Sequence, residues 1–224
     1  MTKDLLIFDM DGVLVDVNAS YRVTIQATVK HFSGYEPSHD EIQDWKNRGG
    51  WNDDWLLSTR LVQEYGGSTA YPDVVDYFQK LFQGENSDGL ILREKWLAAE
   101  GLFDRLGAQH HLAVFTGRLR WEANVTLNRF LPDRFHPVIG SDDVAHTKPD
   151  PEGIHKICSS VDHGKCWYIG DTVDDARASR AARVPFIGIA SKSSPRRDDL
   201  VRLLQAEGAI AVLEDINSLE AALA

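Results

Sequence analysis

The chain has 224 residues, of which 43% are hydrophobic and 26% are charged, a composition typical of one large globular domain or of a core domain with a smaller partner. Its 34 acidic and 24 basic residues give a net charge of −10, which disfavours binding to nucleic acid and to anionic membranes. No stretch approaches the ~20 consecutive apolar residues that a membrane-spanning helix requires. We therefore expect neither nucleic acid nor a membrane as a partner.

The amino-terminal residues lack the basic start and long apolar run that are typical of a signal peptide. The two cysteines, Cys158 and Cys166, lie eight positions apart without a CxxC spacing, and we interpret them as reduced thiols in or near the core. The eight histidines show no spacing typical of metal ligands and are expected to have structural or surface roles. A cytoplasmic location is therefore expected, whereas the sequence gives no indication of the oligomeric state.

The first predicted element is a short buried strand, Leu5–Phe8. The chain then enters a helical region, and the hexapeptide GENSDG at 84–89 is predicted to lead back out of it. These transitions divide the chain into an α/β core of residues 1–16 and 90–224 and a helical insert of residues 17–89.

The insert is predicted to contain four amphipathic helices. Apolar residues recur every three to four positions along the first of them. Ser38 and Glu41 form a capping box that begins the second helix, and Asn52 can cap the third. Pro72 suits the first turn of the fourth.

Beyond residue 110, short apolar runs alternate with helical stretches. The runs lack polar alternation, as expected for parallel strands that are covered on both faces. The predicted strands are Leu112–Phe115, Pro137–Gly140, Trp167–Gly170, Phe186–Ala190 and Ala209–Leu213, and the predicted helices between them are Trp121–Phe130, Pro151–Val161, Asp174–Arg183 and Asp198–Glu207. This alternation predicts an α/β fold with a Rossmann-like, doubly wound parallel sheet.

Acidic residues follow two of the predicted strands at their carboxyl ends, where open parallel sheets bind ligands. Asp9 and Asp11 follow the first strand, and Asp171 follows another, with Asp175 one helical turn later. Two unit charges roughly 4 Å apart repel by about 4 kcal/mol at an effective dielectric constant near 20. A divalent cation relieves this repulsion, and Mg²⁺ fits because it combines few carboxylates with water and phosphate oxygens. Capping of helices by isolated aspartates is the alternative interpretation.

Polar groups also follow two further strands. Thr116, Gly117 and Arg118 come directly after Leu112–Phe115, where a hydroxyl and a backbone N–H can bind an oxyanion, and Arg118 is a further candidate for contact with a phosphate. Lys148 lies in the loop after the next strand. A lysine there is ordinarily a solvated surface charge, but beside a carboxylate cluster it supplies the positive charge that an anionic substrate needs.

The segments DMDGV, TGR, KPDPEG and GDTVDD, in this order, resemble the four motifs of the haloacid dehalogenase-like superfamily of phosphohydrolases. The resemblance covers the sheet region from end to end. The insert resembles the helical cap of the branch that contains phosphoglycolate phosphatases and β-phosphoglucomutases, subfamily IA. The resemblance implies a Rossmann-like core with an inserted four-helix cap, and a Mg²⁺-dependent phosphatase that acts on a small phosphorylated metabolite.

The same resemblance implies distinct roles for the two aspartates of DMDGV. Asp9 is the nucleophile that attacks phosphorus to give an aspartyl-phosphate. Asp11 protonates the leaving oxygen and then deprotonates the water that hydrolyses the intermediate. Dehalogenase members of the superfamily lack an acid at the position of Asp11, so carbon–halogen cleavage is not expected.

A metal site and a phosphate site are implied as well. Mg²⁺ is held by the Asp9 carboxylate, the Asp11 backbone carbonyl and Asp171, and Asp175, or Asp174 beside it, completes or orients this set of ligands. Charge on the transferring phosphoryl oxygens is stabilised by Thr116, the Gly117 N–H and Lys148.

One stretch of the insert, WKNRGGWNDDW at 45–55, concentrates three of the six tryptophans. It is interpreted either as a turn with tryptophans packed inside the cap or as a loop that recognises the substrate. In the second case Arg48 pairs with an anionic group, Asn52 binds a hydroxyl and Trp51 covers an apolar face.

Other functions use part of the same pattern. A mutase-type phosphotransferase would use the same residues with a hydroxyl in place of water as acceptor. A receiver-type signalling domain also combines acids with Thr and Lys, but it has no place for the insert or for GDTVDD. A catalytically silent binding protein on the same fold is disfavoured by the intact acidic, Thr and Lys positions.

Overall fold

The computed structural model describes residues 2–85 and 88–223. The chain divides into two compact units, one that combines Met1–Val15 with Trp96–Ala224 and a second that comprises Asp16–Lys95. The chain passes between the units in two short strands that pair with each other. In the described part of the chain, no helix is both long and apolar enough to cross a membrane.

The strands and helices alternate along the first unit, whereas the second unit is helical. In chain order the strands are β1 (Asp4–Phe8), β2 (Val15–Asp16), β3 (Lys95–Trp96), β4 (His110–Phe115), β5 (Val138–Ile139), β6 (Cys166–Gly170), β7 (Phe186–Ile189) and β8 (Ala211–Leu213). The α-helices are α1 (Tyr21–Ser33), α2 (His39–Arg48), α3 (Asp54–Glu64), α4 (Tyr71–Gln83), α5 (Leu102–Gln109), α6 (Arg120–Phe130), α7 (Glu152–Ser160), α8 (Val173–Ala182), α9 (Arg197–Ala206) and α10 (Leu219–Leu223).

The first unit is built on a parallel sheet with the strand order β5-β4-β1-β6-β7-β8. The four apolar residues of β1, Leu5 to Phe8, are fully buried, because the central strand is covered on both faces. The predicted Rossmann-like α/β fold is confirmed. From β1 the chain goes on to β4 on one side of the sheet, and β6 lies on the other side, which is the arrangement that opens a crevice at the carboxyl ends of the strands.

The register of the three central strands determines which loops meet. Phe8, the last residue of β1, lies opposite Val114 of β4 and Ile169 of β6. The three strands therefore end within two residues of one another. The segments that follow them, which begin at Asp9, Thr116 and Asp171, emerge along one edge of the sheet.

The second unit has its own apolar core, in which Ile25, Phe78 and Ile91 are among the buried residues. It extends to Lys95, beyond the expected boundary at residue 89, because Ile91 in a 3-10 helix packs into this core. The expected return segment at 84–89 includes Asn86 and Ser87, which lie outside the described residues.

The predicted capping box at the start of α2 is present. The Ser38 hydroxyl accepts a hydrogen bond from the Glu41 N–H, and the Glu41 carboxylate accepts one from the Ser38 N–H. The expected cap of α3 is wrong by one residue. Asp53 rather than Asn52 caps this helix, because its carboxylate accepts the N–H groups of the second and third helical residues, Trp55 and Leu56.

Candidate active site

The turn after β1 brings the two sides of the site together. The Asp9 N–H donates to the Ile169 carbonyl at 2.8 Å, which extends the pairing of β1 with β6. Gly12 has a φ of +73°, and a Cβ at this position would lie 2.0 Å from Oδ2 of Asp171. Only glycine allows the backbone of DMDGV to approach Asp171 so closely in this conformation.

Three carboxylates converge at the end of β1 and β6. One oxygen each of Asp9, Asp171 and Asp175 lies within 4.8 Å of the others. Asp9 and Asp175 are buried and Asp171 is half-buried. The sequence left open whether Asp174 or Asp175 takes part, and among the described residues it is Asp175 that joins this cluster.

Lys148 bridges two of these carboxylates. Its Nζ lies 2.7 Å from Oδ1 of Asp9 and 2.7 Å from Oδ1 of Asp175. The Lys148 side chain is 1% exposed, and its ammonium lies 5.3 Å from the centre of the Phe115 ring and 5.7 Å from that of Tyr168. Lys148 is thus not the solvated charge that a loop lysine usually is.

Asp175 is held in place by the start of α8. Its Oδ2 accepts hydrogen bonds from the N–H and hydroxyl of Thr172 and from the Asp171 N–H, at 2.7–3.2 Å. The Thr172 hydroxyl in turn accepts the Asp175 N–H at 3.1 Å, which completes a capping box. Since Oδ1 accepts from Lys148 and from the Tyr168 hydroxyl, both oxygens are occupied within the protein. Asp175 therefore orients the site more readily than it binds an ion.

Burial and charge move the pKa values of these groups in opposite directions. Burial raises the pKa of Asp9 to about 7, assisted by the charges of Asp175 and Asp11, while the Lys148 ammonium opposes the rise. Burial also acts to raise the pKa of Asp175, but Lys148 and the hydrogen bonds outweigh it, so this pKa is lowered. Burial acts to lower the pKa of Lys148, and the two carboxylates more than offset it, so its pKa is raised.

Arg118, a candidate for contact with a phosphate, lies at the same edge of the sheet and contacts Asp11. Its guanidinium is buried, with Nε at 2.8 Å and Nη2 at 2.6 Å from Oδ1 of Asp11, and Nη1 donates to the Thr126 hydroxyl at 3.0 Å. The Asp11 side chain is 31% exposed, so the carboxylate is anchored on one side and open on the other. Arg118 is consequently placed to orient Asp11.

Thr116 and Gly117 lie directly after β4, as predicted. The Thr116 side chain is buried, and its hydroxyl accepts the Arg118 N–H at 3.2 Å. Gly117 is half-buried at the same edge of the sheet. The Thr116 hydroxyl and the Gly117 backbone N–H therefore lie at the carboxyl end of β4, next to the end of β1 that Asp9 follows.

The charges and ligand types of the cluster fit Mg²⁺. Asp9, Asp11, Asp171 and Asp175 contribute four carboxylates, and Lys148 and Arg118 contribute two positive charges. With all four carboxylates ionised, two negative charges are left over, which a divalent cation balances. The available donors are oxygens, which are the ligands that Mg²⁺ prefers.

The expected substrate-binding residues of the insert lie in the second unit. Arg48 is the last residue of α2, is exposed, and has its guanidinium 4.4 Å from the centre of the Trp45 ring. Trp51 packs edge-to-face on Trp45 at 5.1 Å and lies against the core of this unit, so the interpretation as packed tryptophans applies to it. Asn52 is half-buried directly before the helix cap.

Tyr168 is a site residue that the sequence did not single out, because it lies inside an apolar strand. Its ring is buried in the core, yet its hydroxyl donates to Oδ1 of Asp175 at 2.8 Å. Burial raises its pKa well above the usual value, so the hydroxyl keeps its proton and remains a donor. A tyrosine two residues before the GD of GDTVDD is the signal that identifies it.

We expect Tyr168→Phe to lower the free energy of unfolding by ~1 kcal/mol, because Asp175 loses one hydrogen bond. Chemical denaturation measures the effect. Tyr71→Phe, which removes a hydroxyl from an exposed side chain, is the matched control. An unchanged free energy of unfolding in Tyr168→Phe would mean that the hydrogen bond to Asp175 contributes no net stability.

The amino-acid sequence is similar to those of known proteins over most of its length. Residues 6–189 match the family described as haloacid dehalogenase-like hydrolase. An imidazoleglycerol-phosphate dehydratase of Phytophthora nicotianae is 33% identical over 95% of this chain, although the chain spans only 48% of that protein's length. A phosphoglycolate phosphatase of Colwellia psychrerythraea is 24% identical over 84% of both chains.

The fold is also found among solved structures. A haloacid dehalogenase-like protein of unknown function from Agrobacterium tumefaciens superposes with a TM-score of 0.78, at 21% identity, over 99% of this chain and 97% of the other. The family match includes every residue of the carboxylate and lysine cluster. The chain therefore belongs to the haloacid dehalogenase-like hydrolase family.

Proposed function

We propose that the chain is a Mg²⁺-dependent phosphatase that hydrolyses a small phosphorylated metabolite through an aspartyl-phosphate on Asp9. The observation that carries the proposal is the buried contact of Lys148 with Asp9 beside Asp171. This contact aligns one carboxylate oxygen and keeps a positive charge where an anionic phosphoryl group must approach.

In the proposed reaction Asp9 attacks phosphorus while the bond between phosphorus and the leaving oxygen breaks. Asp11 donates its proton to that oxygen and then accepts a proton from the water that hydrolyses the acyl phosphate. The ion pair of Arg118 with Asp11 supports this role in proton transfer, because it fixes the Asp11 carboxylate while leaving one side of it exposed.

Asp9, Asp171 and the Asp11 carbonyl are the proposed metal ligands, with Asp175 as the group that orients them. When bound, Mg²⁺ supplies positive charge to the phosphoryl oxygens and keeps Asp9 ionised. Thr116, the Gly117 N–H and Lys148 are proposed to hold the remaining phosphoryl oxygens.

The test is release of free phosphate by the purified chain from a panel of phosphomonoesters with Mg²⁺ or with EDTA. The panel includes phosphoglycolate and imidazoleglycerol phosphate, because the names of two relatives contain these compounds. It also includes sugar phosphates. Mg²⁺-dependent release of phosphate supports a hydrolase. Rearrangement of a sugar phosphate without free phosphate would indicate the mutase alternative, and turnover of no ester would leave a silent binding protein.

The free thiols Cys158 and Cys166 favour the reducing cytoplasm as the location of the protein.

Binding of Mg²⁺ is expected to tighten as the pH rises from 6 to 7 and to level off above it. Burial raises the pKa of Asp9 to about 7, so below that pH a proton competes with the ion for this carboxylate. Affinity falls by about tenfold for each pH unit below the pKa. Calorimetric titrations at pH 6, 7 and 8 measure this slope. A flat profile would mean that Asp9 is not a ligand.

We propose further that the second unit acts as the cap and that Arg48 binds an anionic group of the natural substrate. Arg48→Ala is expected to raise KM for that substrate about tenfold, the loss typical of one charged contact, and to leave turnover of p-nitrophenyl phosphate within twofold. Arg60→Ala is the matched control, since Arg60 lies over the same Trp45 ring at 5.5 Å but pairs with Glu64. Equal losses on both substrates would contradict a specificity role.

A further inference from the structure

A second group of potential metal ligands lies at the amino end of β6. Cys158 belongs to the last turn of α7, His163 lies in the loop that follows, and Cys166 is the first residue of β6. Asp171 follows the other end of the same strand. Five residues of strand span about 16 Å, so this group is separate from the carboxylate cluster.

The two sulfur atoms have the spacing of thiolates that share one ion. They lie 3.8 Å apart, and both cysteines are free. Two thiolates bound to one tetrahedral Zn²⁺, with Zn–S bonds of about 2.3 Å, are separated by about 3.8 Å. One ligand atom each of Cys158, His163 and Cys166 lies within 4.8 Å of the other two.

A backbone carbonyl holds one ring nitrogen of His163. Its Nδ1 lies 2.7 Å from the Val161 carbonyl, and a proton on Nδ1 donates to that oxygen. Nε2 is then the nitrogen that is available to a metal ion. A backbone carbonyl that fixes the ring and its tautomer is the common outer partner of a ligating histidine.

The surroundings of the group suit a small site that is open on one side. All three residues are half-buried, and the two cysteines pack against the apolar core beneath the sheet. The sequence did not predict the group, because the three residues follow neither a CxxC nor a paired-histidine spacing. They meet only because α7 packs on the sheet beside the start of β6.

We propose that Cys158, His163 and Cys166 form a Zn²⁺ site with a fourth position open to water. Each thiol releases its proton when the ion binds, and His163 binds through its neutral ring. The ion would join the end of α7 to the start of β6 and would stabilise the folded chain, since it binds the folded arrangement only. The chemistry of soft sulfur ligands separates this site from the oxygen ligands proposed for Mg²⁺.

The test is a titration of the reduced, metal-free chain with Co²⁺, followed by displacement with Zn²⁺. We expect one equivalent of Co²⁺ to produce thiolate-to-cobalt charge-transfer absorption in the near ultraviolet, which carboxylate ligands do not give, and Zn²⁺ to abolish it. Cys158→Ser and His163→Ala should weaken Zn²⁺ binding at this site at least 100-fold. Ser159→Ala, an exposed neighbour on the same helix, should bind as the wild type does.

Activity provides an independent control. Cys158→Ser should keep the Mg²⁺-dependent turnover of the wild type, because Cys158 lies against the amino end of β6 whereas Asp9 follows the carboxyl end of β1. Absence of the charge-transfer band in the wild type would overturn the proposal. A band that persists in Cys158→Ser, or oxidation of the pair to a disulfide with no uptake of Zn²⁺ by the reduced form, would overturn it as well.

Discussion

Asp9→Asn is expected to abolish Mg²⁺-dependent hydrolysis of p-nitrophenyl phosphate, with a fall in kcat of at least about 10⁴-fold, the scale seen when a catalytic nucleophile is removed. An amide keeps the size of the carboxylate but cannot form an acyl phosphate. It also removes the negative charge that the proposed metal site needs.

The variant should remain folded. Burial raises the pKa of Asp9 to about 7, so a neutral side chain at this position is close in free energy to the ionised one. Lys148 keeps Asp175 as its partner at 2.7 Å, so the ammonium is not left alone in the interior. Circular dichroism and the unfolding midpoint should therefore stay near those of the wild type.

The measurement combines kinetics with detection of the intermediate. Borohydride reduces an acyl phosphate to an alcohol, so treatment during turnover should mark residue 9 of the wild type and leave the variant unmarked in peptide mass spectrometry. Asp198→Asn, at a carboxylate that is 89% exposed, is the matched control and should keep full activity. If Asp9→Asn retains turnover, or if the mark falls on another residue, Asp9 is not the nucleophile.

The meeting of Asp9 with Asp171 could be predicted from the sequence. Both residues follow apolar runs without polar alternation, and such runs form neighbouring parallel strands that end at one edge of a sheet. The observed register, with Phe8 opposite Ile169, is what this argument requires. Periodicity was sufficient to place both residues at the carboxyl ends of strands, and the observed strand order, in which β1 lies next to β6, brings them together.

The partners of the charged side chains could not be predicted in the same way. Arg118 lies three residues beyond the end of β4, and its pairing with Asp11 across 107 positions depends on how the side chain folds back. From the sequence Arg118 is a candidate for contact with a phosphate, and its pairing with Asp11 was not predicted. Tyr168 was missed for a related reason, since an apolar strand hides a hydroxyl that reaches Asp175.

The capping residue of a helix was predicted correctly where the sequence offers one candidate, and wrongly where two neighbouring residues can both cap the helix. The capping box of Ser38 and Glu41 was predicted from spacing alone and is present. At the start of α3, Asn52 and Asp53 are both suitable caps. Asp53 caps the helix, because its carboxylate accepts two N–H groups at once. The two candidate caps differ by one residue in position, and the spacing of apolar residues along the sequence does not distinguish them.

Lys148→Met is expected to lower the free energy of unfolding by ~3–5 kcal/mol, the effect of removing one partner from a buried ion pair. Methionine nearly fills the space of the lysine stem, so loss of volume contributes little. The Lys148 side chain is 1% exposed and contacts Asp9 and Asp175 at 2.7 Å, so the variant leaves two buried carboxylates facing each other.

The pH dependence of this loss has a defined sign. The pKa of Asp9 is raised to about 7 in the folded chain even with Lys148 present, and loss of the ammonium raises it further. Above pH 4 the unfolded chain has released the proton that folded Asp9 still holds, so the free energy of unfolding falls as the pH rises towards and through 7. Urea denaturation in EDTA at pH 6 and pH 8 should show the larger loss at pH 8.

A double variant separates the ion pair from simple misfolding. In Lys148→Met with Asp175→Asn, a carboxylate that has lost its ammonium partner is replaced by a neutral amide, so the double variant should be more stable than Lys148→Met alone although it carries one more substitution. Lys156→Met, which removes an exposed lysine from α7, should change stability by no more than ~0.5 kcal/mol. Both Lys148 variants should lose kcat by ~10²–10³-fold, because the positive charge beside the transferring phosphoryl group is absent in each. A double variant less stable than the single one would mean that Lys148 supports the site by packing and not by charge.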